Sequence, residues 1–241
     1  MHRGGARRLG ARPVSWPPQT FLGMLGESTR EELLSLGTLR EYLPNSVLML
    51  EGDNNTDVMA LVDGWVKVVA SAEEGGHALL SLRVGGDLVG EQAALDNEPR
   101  SATVISAGVT AAQVVSQREF LRFLDRKPDA SVAISRALSS ELRWATRRRI
   151  DFSGLSVLAR LARVLSELGS LYGNPTPSGI EFHYLLTQPE LAAMVGASEP
   201  AVHKALRQLR NDGVVVTGYR QVVITDPAAL DAVASSRSET P

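Results

Sequence analysis

The sequence contains no cysteine. That absence excludes disulfide bonds, thiolate metal sites, cysteine nucleophiles and iron–sulfur clusters together. Long apolar runs are missing as well. No stretch approaches the roughly 20 residues that cross a bilayer, and the N-terminus carries no apolar core of a secretory signal. A cytoplasmic protein with no membrane partner is the expectation. Lysine is confined to positions 67, 127 and 204, and the formal net charge is −2. The chain as a whole is therefore not a basic nucleic-acid binder, and any DNA contact has to come from a local patch. Catalytic signatures are absent too: there is no nucleophile elbow, Walker loop, dinucleotide fingerprint or His-Glu-x-x-His. His77 stands alone in a turn, and His2, His183 and His203 form no metal spacing with it. An enzyme is not expected, nor a required cofactor. The 241 residues hold one large or two modest domains.

What is present concentrates in one short stretch, Gly90-Glu91-Gln92-Ala93-Ala94-Leu95-Asp96-Asn97-Glu98-Pro99-Arg100-Ser101-Ala102. Strand-like residues flank it on both sides. Gly90 permits close backbone approach to a ligand. Gln92, Ala93 and Ala94 open a short helical turn whose free N–H groups suit a phosphate. Arg100 offers a fixed fork of donors and Ser101 a hydroxyl. Glu91 is an acceptor, which fits a ribose hydroxyl better than a bare phosphate. The same residue types also fit a turn closed by a surface Glu91–Arg100 ion pair.

Residues 1–20 carry scattered arginines without periodicity and read as a disordered basic tail. A short helix is predicted over 28–40. Short strand-like runs then follow at Val47–Leu50, Val58–Val62, Trp65–Val69, Ala78–Leu82, Thr103–Ile105 and Ala111–Val115, with Gly/Asp/Asn turns between them. That spacing predicts a sandwich or small barrel over 21–127. A long helix over 128–150, with Asp129 as its cap, carries the stripe Ala130, Ile134, Leu138, Leu142 and Ala145, a seam suited to pairing with a second copy. Asp151–Gly154 breaks the chain. Within the second domain, 155–235, Ser156 caps a further helix, and Asn174–Gly179 reads as a loop. Thr187-Gln188-Pro189-Glu190 has capping-box spacing. The helix that follows ends at Gly196, and Ser198 begins the next, with Val202, Leu206 and Leu209 inward. Glu199, His203, Lys204, Arg207 and Arg210 lie outward. Two short helices around a Gly turn, followed by a hairpin over 214–224, make a winged helix-turn-helix pattern. Lys204 and Arg207 suit guanine edges or phosphates, Glu199 a cytosine amino group, and Thr187 and Ser198 a phosphate oxygen. A plain charged helix face carries the same residues.

The stretch at 90–102 resembles the phosphate-binding cassette of cyclic-nucleotide-binding domains. Gly90, Glu91, Ala93, Pro99, Arg100, Ser101 and Ala102 match in order, while Gln92 stands where an apolar residue is usual. With the long helix and the winged module, the chain resembles the CRP/FNR transcription-factor family over roughly residues 21–225. That resemblance implies an α+β architecture: an N-terminal jelly-roll β-domain, a dimerisation helix and a C-terminal winged helix-turn-helix. It implies a homodimer that binds double-stranded DNA and RNA polymerase, with cyclic AMP as allosteric ligand. The family's base-contacting Thr-Ser pair falls at Ala145 and Thr146, so only Thr146 keeps a hydroxyl. The reading helix of the family begins Ser-Arg-Glu-Thr-Val-Gly-Arg; here it is Ser198-Glu199-Pro200-Ala201-Val202-His203-Lys204. Pro200 has no polar side chain, so a different operator is expected. A response to another nucleotide, ligand-independent DNA binding, and a protein-interaction module without DNA reading are the competing expectations.

Overall fold

The computed structural model describes residues 16–71, 77–183, 186–218 and 221–236. The basic tail up to residue 15, the turn at 73–76 and the side chains of His77 and His183 lie outside the described residues.

Two short helices, α1 (Phe21–Met24) and α2 (Glu27–Ser35), precede eight strands. These are β1 (Thr38–Tyr42), β2 (Val47–Met49), β3 (Val58–Asp63), β4 (Trp65–Ser71), β5 (His77–Val84), β6 (Leu88–Val89), β7 (Thr103–Ser106) and β8 (Thr110–Val115). They form two antiparallel sheets ordered β1-β8-β3-β6 and β2-β7-β4-β5. Met49, Val66 and Val104 of one sheet meet Met59, Leu61, Val89 and Ala112 of the other in a shared core. This is the expected jelly-roll domain. The predicted helix over 28–40 stops short: α2 ends at Ser35, and β1 pairs with β8 from Thr38↔Val114 to Tyr42↔Thr110. The ladder supplied by β8 outweighs local helical preference there.

Between β6 and β7 lies α3 (Glu91–Asp96), which carries the cassette. After β8, α4 (Gln117–Arg126) starts with a Ser116/Glu119 capping box that the sequence reading passed over. It buries Phe120 and Phe123 in a core that also holds residues of α1, α2 and α5. The long helix, α5 (Pro128–Gly154), runs 27 residues and continues through the stretch expected to break it. Asp129 lies in its first turn but is not the cap, which is Lys127. The apolar stripe of α5 divides. Ala130, Ala133 and Ile134 join the core of the β-domain, whereas Leu142 is 69% exposed.

The C-terminal half begins with α6 (Val157–Tyr172), capped by Ser156 as expected. The segment read as a loop is a hairpin, β9 (Asn174–Thr176) with β10 (Gly179–His183). Then come α7 (Gln188–Val195), α8 (Glu199–Asn211), β11 (Val215–Gly218), β12 (Gln221–Ile224) and α9 (Pro227–Ser235), with sheet order β11-β12-β10-β9. Pairing with β12 draws β10 into the wing, a non-local ladder that no local pattern announces. This half packs directly on the β-domain: Val69, Leu79 and Leu82 belong to the same core as Leu161, Leu191 and Met194. Trp65 and Tyr172 meet edge to face at 4.8 Å, and the Tyr172 hydroxyl donates to the Leu82 carbonyl at 3.1 Å. Lys67 Nζ donates to both carboxylate oxygens of Glu190, at 2.7 and 2.8 Å. Among the described residues, no helix is long and apolar enough to cross a membrane.

Phe123 is fully buried where α4 meets the β-domain. Phe123→Ala is expected to lower unfolding stability by roughly 3–5 kcal/mol, measured by denaturant titration; a loss below about 1 kcal/mol contradicts this packing.

Candidate functional site

Gly90 is the pivot of the cassette. Its φ of +83° favours glycine, and a Cβ there would lie 2.5 Å from Arg100 Nη1 and 2.6 Å from Met49 Cε. The chain turns at Gly90 into α3, whose first N–H groups have no partners within the helix. Both charged residues of the cassette are buried, Glu91 at 8% and Arg100 at 5% exposure. The surface ion pair between them, open as a reading of the sequence, is not formed. Arg100 donates instead from Nη1 to the Gly90 carbonyl at 2.9 Å. Its Nη2 donates to Asn55 Oδ1 at 3.0 Å and to the Asp57 carbonyl at 2.6 Å. Ser101 Oγ donates to Gln92 Oε1 at 3.2 Å. Gln92 is exposed, which is why a polar residue is tolerated there, while Ala93 and Ala94 are buried beneath it.

Gly90, Glu91, Gln92, Ala93, Arg100 and Ser101 line one cavity of about 50 Å³. Two further charged residues line it that the sequence reading missed, Arg83 on β5 and Glu141 on α5. They form an ion pair. The signal for Arg83 was a lone guanidinium inside the apolar run 78–84; for Glu141 there was none, since only the fold brings α5 over the cassette. Burial pushes the Glu91 carboxyl up to about 7, opposed in part by Arg83. Burial alone would lower the Arg83 guanidinium, but Glu141, Asp87 and Glu91 more than offset it and hold it protonated. Burial lowers the Arg100 guanidinium, with Asp57 opposing. Thr146 is exposed on α5 and does not line the cavity within one chain.

The second candidate site lies on α7 and α8. Thr187 and Glu190 form the reciprocal capping box read from the sequence. Gly196, at φ +67°, ends α7 in the left-handed conformation and sets the turn. Ser198 is the N-cap of α8, but its side chain makes no capping bond. Val202, Leu206 and Leu209 are buried; Thr187, Ser198, Glu199, Pro200, His203, Lys204 and Arg207 are all exposed. His203 Nε2 lies 3.0 Å from Gln188 Oε1, which ties the start of α7 to α8. Arg210 donates to Thr217 Oγ1 at 3.3 Å, joining α8 to the wing. Lys204, Arg207 and Arg210 thus lie exposed along the middle and C-terminal turns of α8.

Comparison with known proteins gives the same division. Residues 39–127 match the cyclic nucleotide-binding domain, and residues 159–233 match the Crp-like helix-turn-helix domain. The chain belongs to the CRP/FNR family of transcriptional regulators. Family relatives include a CRP-like cAMP-activated global transcriptional regulator of Mycobacterium tuberculosis, 29% identical over 182 residues, covering 75% of this chain and 80% of the relative. The cAMP-activated global transcriptional regulator CRP of Pasteurella multocida is 24% identical over 200 residues, covering 82% and 95%. Among solved structures, FixK2 from Bradyrhizobium japonicum has the same fold, with a TM-score of 0.72 at 17% identity over 83% of this chain and 98% of that one. As a CRP/FNR member the chain is a cyclic nucleotide-binding transcriptional regulator and not an enzyme.

The Glu91 carboxyl moves from an ordinary 4.5 to about 7 on folding. The folded state holds its proton more tightly, so this stabilisation is complete below 4.5 and is lost as pH rises through about 7. Thermal unfolding of the ligand-free protein should therefore lose stability over that window relative to Glu91→Gln, which cannot ionise. Parallel pH profiles for the two proteins would show that Glu91 is not held this way.

Proposed function

We propose that this chain is a homodimeric DNA-binding regulator whose DNA affinity is set by cyclic AMP bound in the β-domain. The observation that supports this best is the convergence of Gly90, Glu91, Arg100 and Ser101 on one cavity within a cyclic nucleotide-binding domain. In this reading Arg100 leaves the Gly90 and Asp57 carbonyls for the cyclic phosphate, where Ser101 and the N–H groups of Gln92 and Ala93 join it. Glu91 accepts from the ribose 2′-hydroxyl. The cavity of about 50 Å³ has to widen, since drug-sized ligands fill roughly 300 Å³ or more. Widening separates Arg83 from Glu141, and Glu141 belongs to α5. Nucleotide binding is thereby coupled to the helix that joins the two domains.

Val132, Leu142 and Ile150 leave apolar surface exposed on α5, at 50%, 69% and 64%. A second copy covers it, and Thr146 meets the base across that helix pair. The competent dimer sets two α8 helices in successive major grooves, about 34 Å apart. Lys204, Arg207 and His203 face guanine edges or phosphates, Glu199 a cytosine amino group, and Thr187 and Ser198 the backbone. Pro200 supplies no base contact, so the operator departs from the palindrome usual in the family. RNA polymerase is the protein partner, in the cytoplasm. A response to a different nucleotide is the second reading. It is favoured by Ala145, which lacks a hydroxyl, and by the carboxylate of Glu141 at the cavity.

Calorimetric titration with cyclic AMP should show that Arg100→Ala loses roughly 2–5 kcal/mol of binding while the protein keeps its fold; unchanged affinity removes the site. Selection from random duplexes should enrich a two-fold symmetric sequence that Lys204→Ala and Arg207→Ala bind more weakly. Absence of enrichment favours a protein-interaction module instead.

A further inference from the structure

A second cavity, of about 190 Å³, opens between β5, α5 and α6. It lies beside the cassette cavity, and Glu91, Arg83 and Glu141 line both. Four carboxylates face this cleft, from Asp87, Glu91, Glu141 and Glu167, against one guanidinium, Arg83. Arg83 is already paired with Glu141. Asp87 accepts from the Val84 N–H at 3.0 Å, and Glu167 accepts from the Trp144 indole. Arg148 lies near Glu167 but does not line the cleft. Burial pushes the carboxyls of Asp87, Glu91 and Glu167 up, so the local positive charge does not compensate them.

An independent observation points to a ligand. Ser81 Oγ, on a residue only 7% exposed, lines the cleft and has no hydrogen-bond partner among the described residues. Orphaned buried hydroxyls are uncommon and costly. The remaining wall is apolar, built from Ile134, Leu138 and Leu168. A bare metal ion does not suit it, because among the described residues no three carboxylate or imidazole groups converge as metal ligands. A cavity of about 150 Å³ accommodates a benzene ring, so about 190 Å³ takes a ring with a short charged arm.

We propose that this interdomain cleft is a second ligand site, selective for an amphipathic primary amine. The aryl or alkyl body lies on Ile134, Leu138 and Leu168. The ammonium meets the carboxylates of Glu167 and Glu91, and one of its N–H groups donates a hydrogen bond to Ser81 Oγ. Because the cleft joins β5 to α5 and α6, an occupant holds the C-terminal half against the β-domain. Because Glu91 also lines the cassette cavity, the two ligands share a carboxylate; only this last point rests on the function proposed above.

The test is calorimetric titration of the full chain with 2-phenylethylamine, with 2-phenylethanol and 3-phenylpropionate as isosteric controls. The amine binds saturably, the alcohol more weakly, and the carboxylate not at all. Glu167→Gln keeps an acceptor for Trp144, and Ser81→Ala removes only an unpartnered hydroxyl, so both variants fold; each weakens amine binding by about tenfold or more. Arg100→Ala leaves amine affinity unchanged, which separates this cleft from the cassette cavity. The site is refuted by the absence of saturable amine binding, by equal binding of 3-phenylpropionate, by unchanged affinity in both cleft variants, or by loss of amine binding in Arg100→Ala.

Discussion

Glu91 is held out of water beside a guanidinium that it does not own. Taking a carboxylate into the interior costs several kcal/mol unless a partner compensates it. The partner within reach is Arg83, and Arg83 is already bound to Glu141 on the long helix. One cation thus lies near two acids on different elements, and burial, only partly opposed by Arg83, pushes the Glu91 carboxyl up to about 7. Arg83, Glu91 and Glu141 all line the cassette cavity. The Arg83–Glu141 pair ties β5 to α5 directly, next to the buried Glu91 carboxyl. Arg100, on the other side of the cassette, is the opposite case: its guanidinium donates to three acceptors inside the fold.

The same helix connects this pocket to the DNA-facing module. The first turns of α5 are part of the β-domain core, and its later turns lie open. Beyond it, the C-terminal half rests on β4 and β5 through a continuous apolar core, with the Lys67–Glu190 pair at its edge. Glu190 has two tasks there, since it also closes the capping box of α7 with Thr187. The contact holds α7 against the sheet while α8 stays exposed. The function proposed above requires this docking and the charge cluster beside α5 to respond to the bound nucleotide.

Much of this was legible in the residues. Gly90, Glu91, Arg100 and Ser101 do meet, because Gly90 forces the turn and a short helix follows at once. The Thr187 box and Gly196 turn appear where their types and spacing put them, since caps and left-handed glycines are local physics. The misses share a cause. Residues 38–40 were read as helix because their strand character comes only from β8. The hairpin of β9 and β10 looked like a loop because its partner, β12, lies some forty residues away. The capping box at Ser116 and Glu119 was a local signal that was simply overlooked. The stripe on α5 looked like one seam, but its first half is consumed by the β-domain.

Sequence alone determined the order of the elements, the cassette, and the type of module at each end. Those follow from turn chemistry, period and residue identity, which act over a few positions. Tertiary structure decided which charges share a cavity. Arg83 and Glu141 stand 58 positions apart and meet only because α5 crosses the cassette. It also decided that Ser81 Oγ has no partner among the described residues, that a cleft opens between β5, α5 and α6, and that Thr146 is exposed away from the cassette cavity. Burial and pairing are properties of how elements pack, and no local pattern encodes the dielectric that a side chain will meet.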